Sequence, residues 1–362
     1  MKRIAVIGIR GFPGVQGGVE MHCQNIYPRL NNVQIRVYRR KPYLTQESLD
    51  AAFENVSFVD LPSTRIKGFE ALFQTFLCVV HLMFHRVDVV HVHNMGPGLF
   101  APVLRLLGMR VVMTYHSANY EHSKWGRVAK ILLKWSEWVS MRCCHRVIFV
   151  NKFQMEKFSE RFGDKCTYIP NGVNTPEITE STGFLSKRGI SPGHYVLGVG
   201  RITQEKGFDV LVKAANQCSE VEQVVIAGGV DHSSGAEYLK QLKNLDLNGK
   251  VVFTGVVGRD ELAELYSHAR LFVLSSVNEG FPIVMLEAMS YGLPVMVSDI
   301  DATHLVELDK ECYFKCGDAQ MLSERLRLEL NGGNACRRVD YGSQIPMWDA
   351  VAADTAKVLL EH

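Results

Sequence analysis

A chain of 362 residues with 47% hydrophobic content can bury two ordinary cores, which excludes a disordered chain and favours two domains of about 150 to 200 residues. Nine cysteines, scattered singly apart from Cys143-Cys144, show neither metal-ligand spacing nor a disulfide framework, and so point to a reducing cytoplasm. Net charge is only +2, yet residues 1–175 hold 23 Lys and Arg against 12 Asp and Glu, and residues 176–362 hold 17 against 26, so that the halves, at +11 and −9, face different partners.

The start, Met1 to Ile9, is basic and then apolar, but the apolar run is too short for a signal segment and reads as a first strand. Further apolar, β-rich runs follow at Val33–Tyr38, Val56–Leu61, Val87–Val92, Arg110–Tyr115, Val147–Val150 and Tyr168–Ile169. Between them Val19–Leu30, Phe69–Phe84, Gly98–Leu107 and Trp125–Cys143 have helical length. The second half repeats the plan, with strands at Tyr195–Val199, Gln223–Ala227, Val251–Thr254, Leu271–Leu274 and Pro294–Val297 and helices such as Phe208–Cys218 and Asp260–Ala269. Alternating strands and helices, with strands apolar on both faces, imply an α/β fold of parallel sheets covered on both sides. Pro170 to Pro176 and the polar stretch to Pro192 mark the boundary between two doubly wound domains, whose ligands belong at the carboxyl ends of the strands.

Two helices carry unusual faces. Phe69–Phe84 is apolar almost all round, the pattern of a helix buried in a core, and at 16 residues it falls short of the roughly 20 needed to span a bilayer. Trp125–Cys143 sets Val128, Ile131, Leu132, Trp135, Trp138 and Val139 on one side, with Arg127, Lys130 and Lys134 alongside. Packing of that apolar side on the core, with a solvated basic side, is the simpler reading; contact with an anionic membrane is the other.

Several stretches carry chemistry. Gly8 to Glu20 joins the first strand to a helix and holds four glycines between Gly11 and Gly18, a loop that lets backbone approach a ligand closely. It lacks the dinucleotide spacing, and only Arg39-Arg40-Lys41 stands where a ribose-binding acid would. His91, His93 and His116 fall near strand ends, His91 and His93 on one face, but no acidic or cysteine partner supports a metal set. His116 is placed to project from the end of its strand. Arg201 and Lys206 bracket a Gly-bounded turn after Tyr195–Val199, a natural clamp for a diphosphate. Ser276 to Pro294 reads as strand, turn, short helix and new strand, with Pro282 at the first helical position and Gly292 and Pro294 as the stop. Amides around Phe281 to Val284 form an anion site there. Glu279 and Glu287 can accept from sugar hydroxyls, or can serve as a helix cap and a solvated surface group. Asp299-Ile300-Asp301 spells a metal-binding triplet of some sugar transferases, but after a late strand it reads as turn and cap.

Taken together, Gly17-Gly18-Val19-Glu20, Thr114-Tyr115-His116-Ser117, Ile169-Pro170-Asn171-Gly172-Val173, Gly200-Arg201 with Glu205-Lys206-Gly207, and Glu279-Gly280-Phe281-Pro282 with Glu287 resemble the retaining family-4 glycosyltransferases of GT-B architecture (glycosyl transferases group 1). Ser117 departs from the glycine usual after that histidine. The resemblance implies two facing Rossmann-like domains: 1–170 for the acceptor, 171–345 for the nucleotide sugar, and a C-terminal helix in 346–362 crossing back to pack on the first, with closure about the linker near Asn171. It implies a hexosyltransferase-like enzyme moving sugar from a nucleotide-diphosphate donor to a glycan or lipid-linked acceptor, in bacterial surface polysaccharide biosynthesis. Arg201 and Lys206 would hold the diphosphate, with Gly17, Gly18, Gly280, Phe281, Pro282, Ile283 and Val284 lining the donor site. Glu287 would take the ribose, Glu279 the donor sugar, and His116 would stand near the sugar's 6-position or the reacting centre. No metal or other cofactor is expected, and no nucleic acid. The expected location is cytoplasmic, with peripheral contact of the basic first domain with the inner face of the membrane through Arg65, Lys67, Arg127, Lys130 and Lys134. A nucleotide-sugar epimerase of the same architecture and a silent sugar-nucleotide binder are the alternatives.

Overall fold

The computed structural model of the protein describes residues 1–64, 69–118, 126–230, 233–331 and 337–361. Arg65, Lys67, Trp125 and the side chain of Val128, all named above, lie outside the described residues. The chain divides into two compact units, one of Met1–Gly172 with Pro346–His362 and one of Val173–Ile345.

The first unit is built on seven parallel strands: β1 (Lys2–Ile7), β2 (Val33–Arg40), β3 (Val56–Leu61), β4 (Val89–His93), β5 (Arg110–Tyr115), β6 (Arg146–Phe149) and β7 (Cys166–Tyr168). They lie in the order β3-β2-β1-β4-β5-β6-β7, so the direction of winding reverses between β1 and β4. Val6 pairs with Val37 on one side and His91 on the other, and Ile4 to Ile7 are all buried, as a central parallel strand covered on both faces requires.

The helix Trp348–Leu360 belongs to this unit. Lys2 Nζ donates to Leu360 O at 2.7 Å and Arg110 to Val358 O at 3.2 Å, so cations meet the exposed carbonyls of its carboxyl end, while Arg29 Nε donates to Asp349 Oδ1 in its first turn at 2.8 Å. A Cβ on Gly172 would stand 2.9 Å from the Trp348 amide nitrogen, so only glycine lets the Asn171-Gly172 backbone pass beneath that helix.

Both unusual helices differ from the simpler sequence expectation. Helix Arg127–Cys143 turns its large apolar residues outward: Ile131, Leu132, Trp135 and Trp138 are all exposed, Ile131 at 67% and Trp135 at 54%. Its inner stripe is Ser136, Glu137, Val139, Ser140 and Met141. The reason is close approach: Ser136 Oγ donates to Met95 O at 2.5 Å, Ser140 Oγ to Ser136 O at 2.7 Å, and a Cβ on Gly98 would collide with Ser140. Small hydroxyl side chains fit that contact and tryptophans do not. Helix Glu70–Phe84 likewise buries only Gln74, Thr75, Cys78, Val79 and Leu82, while Phe69, Phe76, Met83 and Phe84 stand in solvent. The helix expected at Gly98–Leu107 is split into Met95–Gly98 and Ala101–Leu106.

The second unit holds β8 (Tyr195–Val199), β9 (Gln223–Ala227), β10 (Val251–Gly255), β11 (Leu271–Leu274), β12 (Val295–Asp299) and β13 (Tyr313–Lys315), the last not anticipated from its three residues. The order β10-β9-β8-β11-β12-β13 again reverses, here between β8 and β11. In an open parallel sheet that reversal opens a crevice at the carboxyl ends of the two strands.

Candidate active site

At the reversal in the second unit, the segments after β8 and β11 are stitched together. Val277 N donates to Glu205 O at 2.9 Å and Ser275 Oγ to Lys206 O at 3.0 Å. Gly207 adopts φ 60°, and a Cβ there would collide with the Ser275 carbonyl, so the left-handed turn and the close approach both demand glycine. Across this seam Lys206 Nζ donates to Glu279 Oε1 at 2.5 Å, and Ser276 Oγ donates to the same oxygen at 2.7 Å. Glu279 is thus an ion-pair partner of Lys206, not a helix cap. The pair is mostly shielded from solvent, with side chains 19% and 15% exposed. Arg201 sits half-buried one residue beyond Gly200, whose carbonyl a Cβ on Gly228 would strike. Lys206 and Glu279, found separately in the sequence, therefore meet. Ser275, Ser276 and Gly228 were missed, although Ser275-Ser276 and Gly228-Gly229 each follow directly on a strand run and signal a strand-end turn.

Pro282 stands one position earlier than expected, as the N-cap of helix Ile283–Ser290, with Phe281 and Ile283 buried on either side. The backbone N–H groups of the first turn lie ahead of the helix's own bonding pattern, at the positive end of its dipole. One turn on, Glu287 Oε2 accepts from the Tyr266 hydroxyl at 3.1 Å, and Tyr266 stacks on Tyr291 at 5.2 Å. Burial pushes the Glu287 carboxyl up to about 7, against the opposing pull of the Tyr266 hydrogen bond, so near neutral pH it is poised between acid and carboxylate. Glu287 is not a freely solvated surface group. Asp299 accepts from His304 at 2.6 Å and Asp301 opens a short 3-10 helix, which is turn chemistry.

In the first unit the glycine loop is shaped mainly by its own neighbours. A Cβ on Gly11 would crowd Arg39 and Leu44, one on Gly14 would meet Thr45 and Glu47, and one on Gly17 would collide with the Glu20 carboxylate. Glu20 Oε1 accepts from Arg10 N at 3.1 Å and pairs with Arg10 Nε at 3.4 Å. Arg39, in the basic run that ends β2, is held by Asp60 at 2.7 Å and bonds back to Phe12 O. Packing therefore accounts for three of the glycines, and Gly18 alone of these four has open space where a side chain would be.

His116 follows directly on the end of β5, as expected, and is buried at 7% exposure. Its Nε2 lies 2.9 Å from His93 Nδ1. His22, from helix Gly18–Ile26, packs edge-on to His116 at 4.8 Å between ring centres, and its Nδ1 meets Asn171 Oδ1 at 2.9 Å. No sequence signal joined His22 to this group beyond its place one turn after Gly17-Gly18-Val19-Glu20. Among the described residues, buried His22 Nε2 has no hydrogen-bond partner. Burial holds His22 down to about 4 and His91 to about 3, and pushes His93 and His116 well below the usual histidine range, so all four imidazoles are neutral near pH 7. Ligand nitrogens of His22, His93 and His116 lie within 4.8 Å of one another, close enough to gather around a transition metal. Two of the three, however, share a hydrogen bond with each other that ties up a ligand nitrogen of each, so the arrangement fits a hydrogen-bonded network better than a ligand set.

Residues 16–177 match the family model described as Glycosyltransferase Family 4, and residues 186–344 match Glycosyl transferases group 1. A glycosyltransferase of Methanocaldococcus jannaschii is 28% identical over 82% of this chain and 80% of its own length. The UDP-Gal:alpha-D-GlcNAc-diphosphoundecaprenol alpha-1,3-galactosyltransferase of Escherichia coli is 29% identical over 60% of this chain and 59% of its own length. Among solved structures, the sucrose-phosphate synthase of Thermosynechococcus elongatus superposes with a TM-score of 0.83 at 21% identity, over 99% of this chain and 98% of that one, a likeness of fold. With two parallel-sheet Rossmann-like units, one model matching most of each, the chain belongs to the GT-B glycosyltransferases of the family-4, group-1 type.

Proposed function

We propose that the enzyme transfers a sugar, with retention of configuration and without a metal, from a nucleotide-diphosphate donor to a glycan or lipid-linked acceptor in surface polysaccharide synthesis. The observation that carries this is the Lys206–Glu279 pair, seated with Ser276 at the carboxyl ends of β8 and β11 where the strand order reverses. A diphosphate arriving there competes with Glu279 for Lys206 and frees the carboxylate for sugar hydroxyls. Arg201 and Lys206 then offset charge on the leaving diphosphate, the amides from Phe281 to Val284 take its oxygens, and Glu287 accepts from the ribose. Gly17 and Gly18 admit the donor to the first unit's loop, and His116 contacts its sugar. The leaving phosphate itself assists the acceptor hydroxyl, so no separate general base is required.

The acceptor is lipid-linked in this reading. Ile131, Leu132, Trp135 and Trp138, exposed beside Arg127, Lys130 and Lys134, form an amphipathic face of the kind that lies on an anionic bilayer, and Phe76, Met83 and Phe84 give the same unit a second exposed apolar face. Among the described residues no helix is long and apolar enough to cross a membrane. In this reading the exposed amphipathic face holds a cytoplasmic enzyme peripherally on the membrane's inner face. Incubation with a panel of nucleotide sugars, with and without polyprenyl-diphosphate sugars, tests the function: nucleotide release that depends on acceptor is expected. Interconversion of sugar nucleotides without release would identify an epimerase, and binding without release a silent binder.

A further inference from the structure

Behind His116 runs an unbroken series of buried contacts. His93 Nδ1 lies 2.9 Å from His116 Nε2, and His93 Nε2 lies 2.5 Å from the Tyr27 hydroxyl. The same hydroxyl lies 2.8 Å from His91 Nδ1, and His91 Nε2 lies 2.7 Å from Thr114 Oγ1. Tyr27, His91, His93 and Thr114 are all fully buried, so none of these links is exchanged with water. Neutral imidazole carries one proton and one lone pair, so a direction set at one ring nitrogen fixes the other, whereas a hydroxyl donates once but can accept twice, so the direction through Tyr27 is decided by its best acceptor.

The closed end sets the first direction. Thr114 Oγ1 makes one side-chain hydrogen bond among the described residues, to His91 Nε2. Accepting there would leave its own buried hydroxyl proton without an acceptor, an outcome that costs more than any gain from the reversed order. Thr114 therefore donates to His91 Nε2, and His91 Nδ1–H donates to Tyr27. Tyr27 also has the Cys23 thiol within hydrogen-bonding reach, but sulfur is a weak acceptor and the His93 Nε2 lone pair, 2.5 Å away, is a strong one, so Tyr27 donates to His93 Nε2, and His93 Nδ1–H donates to His116 Nε2. The proton of His116 is left on Nδ1.

We propose that Thr114, His91, Tyr27 and His93 act as a one-way hydrogen-bonded chain that holds His116 in its Nδ1–H tautomer, so that His116 offers a donor, and not a base, to the bound sugar. Tyr27 and His93 are then positioning residues. The chain itself is read from the geometry of the first unit, whereas its bearing on catalysis rests on the role proposed above for His116. Desolvation, which keeps all four imidazoles neutral, is what allows a single tautomer to persist.

Long-range proton–nitrogen correlation spectra of the ligand-free, 15N-histidine-labelled protein test it, with His116 signals assigned by their loss in His116→Asn. A single Nδ1–H tautomer is expected for His116 in the native chain, and a mixture in Tyr27→Phe, which removes one hydroxyl and keeps the ring. Thr114→Val, of nearly the same shape, provides a second break at the far end should Tyr27→Phe fold poorly by circular dichroism. An Nε2–H tautomer in the native protein, or an Nδ1–H signal unchanged in both folded variants, would overturn the chain. In turnover, Tyr27→Phe is expected to lower kcat by about tenfold with little change in KM, the size of one buried hydrogen bond. A tautomer mixture with unchanged kcat would uphold the chain and overturn the catalytic role of His116 instead.

Discussion

The two units share a winding scheme but furnish the carboxyl ends of their central strands in opposite ways. Where β8 meets β11 the groups are charged: Lys206 and Glu279 face each other at 2.5 Å, still partly reached by solvent. Around the ends of β4 and β5 in the first unit they are neutral and dry, imidazoles joined through a tyrosine and a threonine hydroxyl. A charged pair can be pulled apart by a charged ligand and is suited to a leaving diphosphate. A dry neutral chain cannot respond in that way and is suited to presenting one fixed donor.

The sharpest way to break this comparison is to remove the charge that is proposed to act during transfer. Lys206→Ala should lower turnover by about 10²–10³, roughly 2.7 to 4 kcal/mol by analogy with oxyanion-hole donors, and should weaken donor affinity far less. Steady-state kinetics beside calorimetric donor binding measures the split. A loss confined to binding would remove Lys206 from the transition state.

Acid separates the units next. Histidines held below their unfolded value of 6.5 contribute stability that is fully present above that pH and is lost as pH falls toward the folded value, which is about 4 at His22. His22 alone accounts for about 3 kcal/mol across that window. Glu287 runs the other way: its carboxyl, raised from 4.5 to about 7, contributes stability below the unfolded value that is lost as pH rises through 7. Moving from pH 7.5 to 5 should therefore lower opening free energies in β4 and β5, read by hydrogen exchange, and not in helix Ile283–Ser290. His22→Gln should flatten the acid limb of the first unit; an equal loss in both units would contradict the contrast.

A difference in what the surfaces touch comes third. Replacing Arg127 and Lys130 by Gln together should weaken binding of the protein to anionic vesicles by roughly 2 kcal/mol at low salt, about thirtyfold, each charge contributing roughly 1 kcal/mol. Cosedimentation reads it, and equal binding to neutral vesicles would sink the membrane assignment.

The smallest effect is at Glu287. Ribose hydroxyls donate to a carboxylate and not to its acid, so donor binding releases a proton, and affinity should rise about tenfold from pH 6 to 8 before levelling off. Glu287→Gln should leave a flat profile. A native profile that is already flat would take Glu287 out of the ribose contact.

Strands were legible in this chain because a parallel strand buried on both faces must be a continuous apolar run; Arg110–Tyr115, Tyr195–Val199, Gln223–Ala227 and Leu271–Leu274 lie where the pattern puts them. Strand-end turns were legible for a related reason, since Gly207 and Gly17 stand where backbone must take positive φ. Tertiary structure alone decided which side of helix Arg127–Cys143 faces inward. Periodicity shows that an apolar stripe exists, but the side that packs is set by the room beside Gly98, which admits Ser136 and Ser140 and excludes Trp135 and Trp138. It also decided the pairings that matter most: Lys206 with Glu279 across 73 positions, Tyr27 with His91 across 64, and His22 with Asn171 across 149. Such contacts depend on the strand order, and the winding reversals that bring these residues together are a property of the assembled sheet, which no local stretch of residues records.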